Sequence, residues 1–251
     1  MRVFSMALPL LAVACQSGIA PNVSVPPSNP EPMAPAAPVP SSEAVVPETA
    51  DADAKPPATL EDASEWTDLM PSQDLAGFQR VPIDPLAEKP VWQPSPDHSL
   101  LVIDGVGAKE MLLYDKELGD GVLHIEWRFR PATADNPIYN GGIYVRTPLD
   151  GKNWVQLQVA ESDKPPVVGD LIAQLPSVAE RVNVFQENPS PAHPVGEWNT
   201  YDISAKGKVI ELSVNGTHTI TWSECSMLTG HVGLQAEGAV IEVRSFKYKP
   251  L

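Results

Sequence analysis

The chain has 251 residues, a formal net charge of −15 and two cysteines. That charge excludes nucleic acid and anionic membrane surfaces as partners, because binding phosphate needs clustered Lys and Arg. The cysteine count excludes a disulfide scaffold.

Residues 1–15, MRVFSMALPLLAVAC, read as a secretory signal: Arg2, an apolar run too short to span a bilayer, then small residues ending at Cys15. Ala12-Val13-Ala14-Cys15 resembles a bacterial lipobox, in which the cysteine becomes the lipidated N-terminus. An ordinary secretory signal cut nearby is the alternative. Lipid on Cys15 leaves Cys225 without a partner, so Cys225 reads as a small, partly buried residue. The expected location is the bacterial cell envelope, lipid-anchored at the outer membrane or periplasmic face, with secretion as the alternative.

Residues 16–60 hold 11 of the 28 prolines and no aromatic residue. Such a segment cannot bury enough apolar surface to offset chain entropy, and it is predicted to be a disordered, Pro-rich acidic linker. Aromatic residues resume at Trp66, and residues 61–251 form one predicted domain.

Short alternating strands dominate that domain. In VLHIEWRFR (122–130), Leu123, Ile125, Trp127 and Phe129 share one side. WVQLQV (154–159) opposes Trp154, Gln156 and Gln158 to Val155, Leu157 and Val159. KVIELSV (208–214) turns at Asn215-Gly216 into THTITW, a strong hairpin signature. No stretch keeps a 3.6-residue apolar period. The predicted fold is all-β, a two-sheet antiparallel β-sandwich or jelly roll.

In NPIYNGGIYVRT (136–147), Gly141-Gly142 interrupts a strand, which implies a bulge or a close approach to the backbone beyond Asn140. Tyr144 and Arg146 are predicted to share one face of this strand, and Gln156 and Gln158 the polar face of the next. If the strands are neighbours, the four form a patch suited to sugar: bidentate donors for hydroxyls and a ring for C–H groups. A solvated outer face is the structural alternative.

GEWNTYDI (196–203), GKVIELSVNG (207–216), GHVGLQAEG (230–238) and the ending EVRSFKYKPL together resemble the 3-keto-disaccharide hydrolase domain family. The resemblance implies a concanavalin A-like jelly roll of the lectin/glucanase type. YNGGIYVR resembles the family's Asn-Ser-Gly-Ile-x-x-Arg strand, VQLQV its Glu-x-Gln-Ile strand, and GDLIAQLP (169–176) its Gly-Ala-Ile-Tyr-like segment. Four departures accompany it. Gly141 stands for the family's Ser, Gln156 for its Glu, and Glu237 for a His that often follows Leu-Gln; the aromatic after Gly-Ala-Ile is absent.

The family name implies cleavage of a glycoside oxidised at C3. The ketone acidifies the C2 hydrogen, and the C1 oxygen leaves by elimination before water adds. That chemistry needs a base, a cation or donor for the enolate oxygen, and an acid for the leaving group. On this reading Arg146 is the candidate electrostatic stabiliser, with a structural carboxylate partner as its alternative. Asp170 and Glu237 are candidate acid/base groups, with a turn as the alternative for Asp170 and a solvated loop charge before Gly238 as the alternative for Glu237. Asn140, Tyr144, Gln156, Gln158, Trp198 and Gln235 are candidate sugar-binding residues, Trp198 having a core anchor as its alternative. No His/Cys spacing demands a metal, although Asp170, Glu237 and Gln158 could offer oxygen ligands to a divalent ion. Three functions fit: a carbohydrate-active hydrolase of 3-keto-glycosides, a non-catalytic carbohydrate-binding module, or an envelope protein that binds a protein partner.

Overall fold

The computed structural model describes residues 66–85, 87–133, 137–161, 167–186 and 190–251. The signal, Cys15 and the linker expected over residues 1–60 lie outside the described residues. Among those described there are fifteen strands, numbered in chain order, and no helix.

The first sheet runs β13 (Thr217–Trp222), β12 (Val209–Val214), β11 (Asn199–Lys206), β6 (Gly121–Phe129), β15 (Val240–Pro250), β4 (Leu101–Asp104) and β3 (Trp92–Pro94). A short β1 (Thr67–Asp68) pairs with β15. The second sheet runs β10 (Val182–Val184), β9 (Leu171–Gln174), β8 (Trp154–Ala160), β7 (Asn140–Thr147), β14 (His231–Glu237), β5 (Lys109–Tyr114) and β2 (Phe78–Pro82). Neighbouring strands pair antiparallel, so the predicted two-sheet sandwich is the fold observed.

The period-2 pattern explains the layers. Leu123, Ile125, Trp127 and Phe129 of β6 point inward, as do Ile143 and Val145 of β7 and Val155, Leu157 and Val159 of β8. Each such side chain contributes roughly 1.5–3 kcal/mol when fully buried. Cys225 lies wholly within this core rather than partly buried, and burial pushes its thiol pKa up. The β12–β13 hairpin turns at Asn215 and Gly216 with φ of 49° and 76°, the left-handed pair that a two-residue turn of this hand requires.

One irregularity redirects a predicted site residue. Tyr144 pairs with Gly233 and Thr147 with His231, so Val145 and Arg146 together oppose Val232. This is a β-bulge, with Arg146 at φ 53°.

Candidate functional site

The outer face of the second sheet forms a cleft of about 450 Å³. Strand pairing builds it directly: β7 and β8 are neighbours, with Tyr144 opposite Gln156 and Gly142 opposite Gln158. On the other side of β7, Gln235 of β14 is opposite Gly142 and Glu237 opposite Asn140. Asn140, Tyr144, Gln156, Gln158, Gln235 and Glu237 therefore all line one cavity.

The glycine pair serves two faces. A Cβ on Gly142 would collide with the Gln156 amide, lying 2.6 Å from its Cδ. A Cβ on Gly141 would point into the core, 2.5 Å from Ile241 Cδ1. The missing side chains thus make room for an amide on one side and a core isoleucine on the other.

That amide is the hub of a polar chain. The two N–H groups of Gln156 Nε2 are shared among Gln158 Oε1 at 2.8 Å, Gln235 Oε1 at 2.9 Å and the Gly141 carbonyl at 3.2 Å. Gln158 Nε2 donates to Asn140 Oδ1 at 2.6 Å. Gln235 Nε2 donates to Glu237 Oε2 at 2.8 Å, and Lys109 Nζ pairs with Glu237 Oε1 at 3.1 Å. Across the core, the buried Tyr201 hydroxyl donates to the Gln158 carbonyl at 2.7 Å, which ties β8 to the first sheet. Buried polar groups linked in this way hold one geometry.

Beside the amides stands an aromatic corner. Tyr144 packs on Val81, Met111 and Leu113, with Trp154 against it at a centroid distance of 6.3 Å, edge to face. Arg181 lies 5.4 Å from the centre of the Trp154 ring. Burial, with a smaller contribution from Glu237, raises the Tyr144 phenol well above its ordinary pKa, so it stays protonated. Lys109, Lys152 and Arg181 outnumber Glu237 and Asp150 in the lining, a locally cationic cleft on an acidic chain. Sequence reading missed Lys109 and Arg181. Lys109 alternates outward with Met111 on β5 and was findable by pattern, whereas Arg181 precedes β10 and carries no such signal.

Three predicted site residues lie elsewhere. The bulge turns Arg146 away from Tyr144; its guanidinium is 2 % exposed and pairs with Asp120 Oδ1 at 2.7 Å, the structural carboxylate partner. Asp170 is buried and accepts from the backbone amides of Val167 at 2.8 Å and Gln186 at 3.2 Å, so it fixes the turn before β9. Asp170 therefore does not join Glu237 and Gln158 as a ligand set. Among the described residues no group of three His, Cys, Asp or Glu could hold a metal ion. Trp198 is neither core nor cleft. It is half-buried, with the guanidinium carbons of Arg128 and Arg244 4.5 and 4.3 Å from its ring centre, and both arginines belong to the first sheet.

The fold is a two-sheet jelly roll with a polar cleft on one outer face. Residues 65–249 match the model of the 3-keto-alpha-glucoside-1,2-lyase-like domain, and the chain belongs to that family. A Parabacteroides distasonis ATCC 8503 protein, provisionally assigned as a glycosyl hydrolase, is similar at 16 % identity and a TM-score of 0.52. The match covers 74 % of this chain and 99 % of that one. Carbohydrate binding module CBM66 from Bacillus subtilis is similar at 14 % identity and a TM-score of 0.53, over 69 % of this chain and 95 % of the module. At such identities the likeness is one of fold. None of the curated proteins matches the sequence.

Proposed function

We propose that this domain binds a 3-keto-glucoside in the cleft and cleaves its glycosidic bond by elimination. The observation that carries the reading is the Glu237–Lys109 ion pair at the end of the amide chain, which sets a carboxylate and an ammonium side by side in a sugar-sized cleft. The Glu237 carboxylate takes the proton from C2. The electron pair moves through the enolate, whose oxygen Lys109 and Arg181 face as cations, and becomes the C1–C2 double bond as the C1–O bond breaks. Glu237 delivers that proton to the departing oxygen, and Tyr144, held as the neutral phenol, can only hydrogen-bond to it. Asn140, Gln158 and Gln235 exchange hydrogen bonds with sugar hydroxyls, and Trp154 supplies the ring for sugar C–H groups. Water added to C1 completes hydrolysis.

A carbohydrate-binding module is the second reading, favoured by Gln156, which puts a neutral amide at the centre of the site where the related strands carry Glu. The test is an assay of the purified chain on aryl 3-keto-glucosides and their unoxidised parents, with and without divalent metal. Release of the aryl group from the keto form alone, abolished in Glu237→Gln, supports elimination. Saturable sugar binding without turnover makes the domain a binding module, and neither result leaves a protein partner as the function. We further propose lipid attachment at Cys15 and residence in the cell envelope; labelled palmitate that enters the chain equally in Cys15→Ser would refute the anchor.

A further inference from the structure

The two ends of the cleft are built differently. Trp154, the platform assigned to the sugar ring, stands at one end, beyond the Tyr144–Gln156 pair. Glu237 and Lys109 stand at the other, on the rung of Asn140 where β7 starts. Tyr144 and Asn140 are four residues of strand apart, about 13 Å, which is longer than one pyranose ring. With the ring at Trp154 and the C1 oxygen at Glu237, the group bonded to that oxygen leaves past Glu237.

Isoleucines flank that exit. The Ile83 amide donates to the Lys109 carbonyl at 3.1 Å, which sets Ile83 on the rung that runs through Lys109 and Glu237 to Asn140. Its side chain lines the cavity and is 38 % exposed. On the other side of Glu237, Ile138 lies two residues ahead of Asn140 and against Gly238. A Cβ on Gly238 would stand 3.1 Å from Ile138 Cγ2, and its φ of 76° is one that glycine takes readily. Ile138 is 70 % exposed, the most exposed large apolar side chain among the described residues. Val106, also exposed, is carried by a loop whose Gly105 amide donates to the Ala239 carbonyl at 3.0 Å.

A single exposed aliphatic side chain needs no explanation, but three around one carboxylate make an apolar rim continuous with the cleft. The charges near it have one sign. The Asp84 amide also donates to the Lys109 carbonyl, and the Glu161 amide to the Tyr139 carbonyl, both at 3.1 Å, so two exposed acidic residues join Glu237 at this end. Carboxylates there repel an anionic leaving group. We propose that the 3-keto-glucoside taken by this cleft carries a neutral, apolar aglycone, which packs on Ile83 and Ile138. The proposal rests on the elimination reading for the position of the C1 oxygen, but its test does not need turnover.

Calorimetry on Glu237→Gln protein, in which cleavage is expected to stop, gives dissociation constants for methyl and hexyl 3-keto-glucosides of one anomer. The hexyl compound should bind about tenfold more tightly, with a more negative heat-capacity change. Adding Ile138→Ser or Ile83→Ser should remove most of that ratio. Adding Leu228→Ser, an exposed apolar change outside the cleft lining, should keep it. Equal binding of the two glucosides overturns the proposal, as does binding of neither, or a hexyl preference that survives both isoleucine changes. Release of methanol by the wild-type chain is read separately. Turnover without a hexyl preference overturns the apolar aglycone alone, whereas a hexyl preference without turnover supports it while the elimination reading falls.

Discussion

The two outer faces of the sandwich arise from the same alternation and end in opposite states. On the first sheet Glu242 receives Arg128 Nε at 2.6 Å and also pairs with Arg130, Glu126 meets Arg244 and His124, and His124 meets Asp202 at 2.7 Å. Glu242, Glu126 and His124 are each answered by an adjacent strand. On the second sheet the centre of the cleft is neutral, three glutamines and an asparagine, and the charges, Glu237 with Lys109 and then Asp150, Lys152 and Arg181, line the rest of it. Ion pairs in the plane of a sheet leave little for a ligand to displace. Amides that bond one another can trade those bonds for hydroxyls at small net cost, because a neutral hydrogen bond contributes only about 1 kcal/mol.

The sharpest way to break this contrast is one carboxylate-to-amide change on each face. Glu237→Gln is expected to lower turnover of a 3-keto-glucoside by roughly 10²–10⁴-fold, the usual contribution of a positioned base. Its urea midpoint should barely move. Glu242→Gln should do the reverse, sparing turnover and costing about 1–3 kcal/mol, since the amide leaves two guanidiniums one acceptor oxygen and turns a donor on the other. Equal turnover losses in both would remove the distinction.

Next in size is Gln156→Glu. The two N–H groups of Gln156 Nε2 serve three acceptors, one of them shared, and a carboxylate has none to give. The introduced carboxyl would set oxygen against oxygen in a nearly dry place, at a cost of about 1–3 kcal/mol in chemical denaturation. Its folded pKa would be raised, so the lost stability should return as pH falls and the carboxyl takes a proton. The glycine pair gives a finer cut. Gly141→Ala overpacks the core against Ile241 and should cost about 1–3 kcal/mol with sugar affinity kept. Gly142→Ala displaces the Gln156 amide, so affinity should fall more than stability. Smaller still, Trp154→Ala should weaken sugar binding about fivefold, given roughly 1 kcal/mol for an aromatic contact beyond its area. Trp198→Ala on the other face should leave binding unchanged.

Most of the fold was legible because a half-buried strand writes its two faces into alternate residues. Leu123 to Phe129, Val155 to Val159 and the Asn215-Gly216 turn all read correctly. The cleft was legible as far as that period held. Alternation put Gln156 and Gln158 on one face and Tyr144 on one face of its own strand, and the pairing of β7 with β8 brought them together; Asn140, Gln235 and Glu237 joined through pairings that alternation does not specify either. Arg146 was misread because a bulge adds one residue and flips the next side chain, and nothing in YVRT marks where the count slips. Trp198 was misread for another reason. An aromatic beside a strand start fits core, cleft or surface equally well, and only the two arginines over its ring decide.

The smallest expected effect sharpens the charged face by pH. The carboxylate of Asp202, against the opposing pull of burial, raises the pKa of His124 above its ordinary 6.5, and Glu126 adds to the rise. A raised folded pKa means that the protonated form is the stabilising one. The contribution is complete below the unfolded pKa near 6.5 and is lost as pH climbs through the higher folded value. Stability should therefore decline as pH rises above about 6.5, by a few tenths of a kcal/mol, because this imidazole is only half-buried and its pairs are screened. His124→Asn should flatten that decline while leaving sugar binding in the opposite cleft untouched. If the slope persists in His124→Asn, the titrating group is not in this ladder. If sugar binding shifts instead, the two faces are coupled through the core, and Tyr201, which lies on the strand beside His124 and bonds the Gln158 carbonyl, is the connection to test.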